Sequence, residues 1–118
     1  MGKFIITKRL NGEFQFNLKS NNGLVILTSE GYITKASCEN GIESVKRSSQ
    51  DDALFHKEKA SNGKHYFVLK AGNGHTIGTS QMYSSDFATE KGIASVKSNA
   101  AEATIEDKTN RRILQNVN

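Results

Sequence analysis

The sequence has little cysteine, no long apolar run and no block of like charge, and each shortage removes a class of function. A single cysteine, Cys38, cannot close an internal disulfide and has no second sulfur for a CxxC metal or redox site. A reducing compartment, the cytoplasm, is therefore the expectation. The opening stretch offers only Phe4, Ile5 and Ile6 before charge returns, far short of a signal-peptide core or a membrane span. Gly2 invites a myristoylation reading, but Ile6 stands where that motif needs Ser or Thr. A soluble protein is expected.

Sixteen basic against 12 acidic residues give a formal charge of +4. The charges are mixed along the chain, and the one Arg pair, Arg111 with Arg112, falls in the last residues, so the balance describes a solvated surface more than a nucleic-acid stripe. Neither GxGxxG nor GxxxxGK[ST] occurs, and no histidine recurs at a fixed offset. His56, His65 and His75, taken with Cys38, have no metal-binding spacing, so neither cofactor nor metal is expected. With 118 residues the chain suits one domain.

What the chain does contain is itself, twice. Asn11 to Ser48 laid over Asn62 to Asn99 at an offset of 51 needs no gap, and 17 of 38 positions are identical. "SNNGLVILTSEGY" from Ser20 thus returns as "AGNGHTIGTSQMY" from Ala71. Two copies are too few for a solenoid, so a closed pseudo-twofold pair is inferred, a monomer that is an internal pseudo-dimer. The copies are bounded at residues 3–50 and 54–109 of a single 1–118 domain, with 110–118 as a flexible tail.

Each copy reads as a three-stranded antiparallel meander followed by one helix. Three-residue loops ending in Gly12, Gly23, Gly63 and Gly74 keep apolar residues opposite apolar ones, pairing Phe4 with Leu18, Ile6 with Phe16 and Leu18 with Ile26. One face then carries Phe4, Ile6, Phe14, Phe16, Leu18, Ile26 and Thr28. After Tyr32 the period becomes helical: Cys38, Ile42 and Val45 in one copy and Phe87, Thr89, Ile93 and Val96 in the other face the sheet, with Thr34 and Ser85 as N-caps. Gly41 and Gly92, mid-helix, imply close approach of helix to sheet. Thr104 to Lys108 reads as a last strand.

The elements "NG", "TSE.Y" and "GI.SVK", in that order, resemble the YegP-like family of small proteins, and the resemblance runs from about Gly2 to Thr109. It implies an α+β fold: two tandem β-β-β-α-β repeats sharing one antiparallel sheet, two helices on one face, and C-terminal strands exchanged between repeats. It implies no enzyme activity. The second copy departs from the pattern at Gln81 where the first has Glu30, and at His65 where the first has Phe14.

The repeated Thr28-Ser29 and Thr79-Ser80 could be nucleophiles with Tyr32 and Tyr83 as acids, but such residues leaving a strand more commonly satisfy backbone groups. The helix-free face is the candidate surface. It is expected to carry Ile5, Thr7, Gln15, Asn17, Lys19, Val25 and Leu27, then His56, Glu58, Tyr66, Val68, Lys70 and Thr76. A non-enzymatic binding or structural module follows, with Gln15, Asn17, Lys19, Tyr66, Val68 and Lys70 as candidate binding residues and a protein partner on that face. The alternative is weak single-stranded nucleic-acid binding through Lys19, Lys70, Tyr66 and the tail arginines, which a single aromatic supports poorly.

Overall fold

The computed structural model describes residues 2–109. Strands β1 (Lys3–Lys8), β2 (Phe14–Lys19) and β3 (Val25–Thr28) lead to helix α1 (Lys35–Ser48); after a 3-10 turn at Asp52–Leu54, β4 (Phe55–Lys59), β5 (His65–Lys70) and β6 (Thr76–Thr79) lead to α2 (Asp86–Ala100) and β7 (Thr104–Asp107). All seven strands form one sheet in the order β4-β5-β6-β3-β2-β1-β7. The first six positions are palindromic about the β3–β6 junction, where Thr28 faces its repeat mate Thr79.

The loops are as short as the register demands. Arg9 N–H bonds the Glu13 carbonyl and Ser20 N–H the Leu24 carbonyl, at 2.7 and 2.8 Å, closing three-residue turns. Gly12, Gly23, Gly63 and Gly74 have φ of 85–90°, which a side chain would strain. Thr34 and Ser85 cap the helices, each accepting a backbone N–H three residues on.

Two expectations about the sheet change. The sheet is mixed, because β7 runs parallel to β1, with Ile105 beside Phe4. Three antiparallel pairings separate β1 from β6, the strand before α2, so a chain that returns antiparallel to β6 lies parallel to β1. It comes from the second copy yet lies against the first, so the exchange at that edge is present. The register expected for β2 and β3 is also revised: Leu18 faces Leu27, not Ile26, and Lys19 faces Val25, leaving Ile26 as the extra residue of a bulge. The bulge turns Ile26 and Leu27 both into the core, at 5% and 1% exposure, and rotates Thr28 onto the helix-free face.

The core lies between the sheet and the two helices as one cluster: Phe4, Ile6, Phe16, Leu18, Leu27, Phe67, Leu69 and Ile77 from the strands meet Ile42 and Val45 of α1 and Val96 of α2, with α1 packed over β2 and the other copy's β6, and α2 over β5 and the other copy's β3. Burial at about 25 cal/mol per Å² makes this layer the main stabilising term. The Cβ that Gly78 lacks would fall 2.6 Å from the Leu27 side chain, so one copy's leucine fills the space left by the other copy's glycine. Phe87, expected against the sheet, is 71% exposed with the Lys91 ammonium 5.2 Å above its ring. Thr89, Gly92 and Val96 form the buried stripe of α2, and Phe87 lies two residues off it, on the far side of the helix. The tail expected at 110–118, including Arg111 and Arg112, lies outside the described residues.

Candidate functional site

Helices on one face leave the other bare, and strand pairing orders its side chains into rows. One row crosses all seven strands: His56, Val68, Thr79, Thr28, Asn17, Ile5 and Glu106. It is held from within by Thr28 Oγ1 donating to Asn17 Oδ1 at 2.8 Å. All six candidate binding residues lie on this face and are half-buried. Gln15 accepts from Arg9 Nε at 2.8 Å, Lys19 faces Lys3, Tyr66 faces Glu58, Val68 stands between His56 and Thr79, and Lys70 faces Thr76. Because β2 and β5 run in opposite directions, Lys19 and Lys70 sit at opposite ends of the sheet.

The apolar patch expected here shrinks. Leu27 is lost to the core by the bulge and Ile5 is 6% exposed, which leaves Val25 and Val68 as its half-exposed aliphatics. Residues that sequence reasoning did not place on the face arrive with β7: Glu106 and Lys108 come beside Lys3 and Lys19, where they line an open cavity of about 490 Å³. Glu106 accepts from Lys3 Nζ at 3.4 Å, and this bond, with the nearby Lys108, holds its carboxyl below the usual range. Their sequence signal was only the offset match of a short segment, which says nothing about what it lies against.

The repeated hydroxyls are consumed by the backbone. Ser29 Oγ accepts from Phe16 N–H at 2.9 Å and donates to the Glu30 carbonyl at 2.8 Å; Ser80 does the same with Phe67 N–H and the Gln81 carbonyl, at the same two distances. Each serine ties the end of its strand to the strand beside it. Tyr32 and Tyr83 stack on Phe16 and Phe67, with ring centroids 6.2 and 6.3 Å apart. Their hydroxyls occupy the space that a Cβ on Gly41 or Gly92 would need, so the mid-helix glycines admit a tyrosine rather than the sheet itself. Burial raises both phenols' pKa, with Cys38 and Glu30 adding to the effect at Tyr32. Burial also pushes the Cys38 thiol up to about 11, with Glu39 and Asp107 adding to it, the reverse of what a nucleophilic cysteine needs.

His56 is on the helix-free face, His65 bridges to Tyr83 at the start of β5, and His75 is at a hairpin tip. Glu30 borders a cleft of about 310 Å³ that His75 and Tyr32 also line, on the opposite side of the molecule's loops from the Lys3–Lys19 cavity. Among the described residues, no helix is long and apolar enough to cross a membrane.

The family model for DUF1508, a domain of unknown function, matches residues 10–55 and again 60–107. The chain belongs to the DUF1508 family. Among the family's UPF0339 proteins, one from Acinetobacter baylyi is 50% identical over 108 residues, covering 92% of this chain and 97% of its own. YegP of Escherichia coli K12 is 48% identical over 92% of this chain and 98% of its own. The solution NMR structure of YegP from E. coli superposes with a TM-score of 0.87 at 48% identity, covering 92% of this chain and 93% of that one. A UPF0339 protein from Shewanella oneidensis, also solved by NMR, gives 0.87 at 51% identity over 92% of each chain. The resemblance drawn from "TSE.Y" and "GI.SVK" is therefore a family membership, and its tandem α+β fold is that of this DUF1508 chain.

Proposed function

We propose that this DUF1508 protein is a non-enzymatic binding module that presents its helix-free sheet face to a protein partner, acting in the cytoplasm as a monomer whose two copies stand in for a pair of subunits. The observation that carries this reading is the row from His56 to Glu106, which crosses the whole sheet with no helix over it. Half-buried amides, hydroxyls and small aliphatics without charge at the centre, and lysines toward the ends, match the polar surface of a non-obligate interface. The absence of catalytic function is supported by the chemistry of the candidate groups: Ser29 and Ser80 are spent on backbone, and the Cys38 thiol is pushed away from ionisation.

Affinity capture from native lysate, comparing the wild type with Val68→Asp, tests this reading. Loss of a specific protein with Val68→Asp but not with Glu43→Lys, on α1, is the expected result. The reverse pattern, or capture indifferent to both, sinks it. Nucleic-acid binding is the weaker reading, since Tyr66 is the one tyrosine or phenylalanine that the described residues place on this face and Lys19 and Lys70 are not adjacent.

A further inference from the structure

The cavity at the β7 side of the helix-free face carries a charge arrangement that the fold does not neutralise. Lys3 and Lys19 are direct cross-strand partners. Like charges placed opposite each other in an antiparallel ladder destabilise it. Lys108 approaches from beyond β7, its Nζ 3.7 Å from Glu106 Oε2, while Lys3 Nζ lies 3.4 Å from Oε1. One carboxylate thus serves two of the three ammonium groups, and among the described residues Lys19 has no ion-pair partner. The three lysines rim an open cavity of about 490 Å³ floored by Gly2 and Ile5. That volume is within the range of small-molecule sites.

The second copy lacks this arrangement. The mate of Lys3 is Leu54, the mate of Ile5 is His56, and among the described residues no strand lies outside β4 to supply a Glu106 or a Lys108. The cluster therefore exists only because β7 closes on β1, and it is not a consequence of the repeat.

We propose that this cavity is a binding site for a phosphate-bearing small molecule, whose anionic group sits between Lys19 and Lys3 with Lys108 at its rim. Three ammonium groups against one carboxylate suit a phosphate monoester, with its charge of about −1.5 to −2, better than a monocarboxylate. Ammonium groups on flexible stems converge as point charges on a tetrahedral oxyanion. Ile5 and the lysine stems offer the apolar floor on which the organic part of a monoester would rest. The bound phosphate cancels the Lys3–Lys19 repulsion, so binding and sheet stability rise together. The site does not depend on the protein partner proposed above.

Titration of the ¹⁵N-labelled full chain by NMR tests this, using glycerol 3-phosphate, inorganic phosphate, citrate, and sodium chloride at matched ionic strength. Saturable shifts at Lys3, Lys19 and Lys108 with the two phosphates, weakened about tenfold by Lys19→Met and less than about twofold by its repeat mate Lys70→Met, are expected. Without ligand, Lys19→Met should melt no lower than the wild type, since it removes a repulsion, and phosphate should raise the melting temperature of the wild type and of Lys70→Met more than that of Lys19→Met. Shifts reproduced by chloride overturn the proposal, as does equal loss with Lys70→Met. Tighter binding of citrate overturns the choice of phosphate. A single-stranded oligonucleotide that binds more tightly than the monoester and shifts Tyr66 as well would replace the small molecule with a nucleic-acid strand.

Discussion

The outermost of the six repeated strands, β1 and β4, solve one problem differently. On β1, Ile6 is fully buried because β7 lies beside it, and Lys35 on α1 donates to Asp107 at 2.7 Å to hold that strand down. On β4 the mate of Ile6 is Lys57, exposed at the edge, and it reaches up to Asp86 at 3.2 Å and to Glu90, both on α2; Lys97 makes a similar bridge to Asp52. One edge is closed by chain and the other by charge. An unpaired strand invites another to add to it, and lysine at the edge is a common deterrent. Duplication alone would have produced two like edges, so the difference shows where each copy was adapted to its place.

A second contrast lies at the junction of the copies. Leu27 and Gly78 are mates, and both are buried, one large and one absent. Two leucines here would collide and two glycines would leave a void. The repeat is therefore complementary at its seam and identical where each copy packs on itself, as at Phe16 and Phe67 or Ser29 and Ser80.

Removing β7 by ending the chain at Glu102 should break the edge comparison most severely. Phe4 and Ile6 would lose their cover, and we expect self-association by size-exclusion chromatography with a melting temperature lowered by more than about 10 °C. Lys57→Ala, at the other edge, should move it by less than about 3 °C, since exposed ion pairs contribute little. At the seam, urea unfolding of Leu27→Ala should show a loss of about 3 kcal/mol from the cavity left behind. Gly78→Ala should cost about 2 kcal/mol from crowding, and the double variant should cost less than the sum because the new methyl occupies the vacated space.

Ser29→Ala and Ser80→Ala should each cost about 1.5 kcal/mol, and equally, because each leaves one buried backbone N–H without its acceptor. A deficit confined to one of them would mean that the serines do more than tie strands. The smallest effect separates the edges by pH. Burial alone would raise Asp107, but the hydrogen bonds from Lys35 and Thr109 outweigh it and hold its carboxyl low. Its contribution is present above the unfolded carboxylate range, near pH 4, and is lost as pH falls through the lower folded value. Lys57 is raised by its hydrogen bonds to Glu90 and Asp86, so its contribution is full below its ordinary pKa of 10.5 and is lost as pH rises through the folded value. The stability difference between wild type and Asp107→Asn should therefore shrink in acid, and that for Lys57→Met in alkali, both followed by thermal denaturation.

The sequence by itself determined the elements and the repeat. Alternation, four turn glycines and two helix caps are local signals, each decided within a few residues, and the matched half of the chain repeats them in order. It also determined that Thr-Ser and Tyr leave the strand together. What only the tertiary structure decided is every relation between distant residues. The bulge at Ile26 is set by packing rather than by the alternation of "LVILT", so Leu27 and Thr28 change faces. Gly41 and Gly92 are explained by tyrosine rings from the preceding turn, not by the helix's own sequence. The lysine cavity needs β7 beside β1, a contact between residues about a hundred positions apart in the chain. A pairing of that separation leaves no local mark, because burial and charge at such a place depend on which strand arrives there and not on the residues around it.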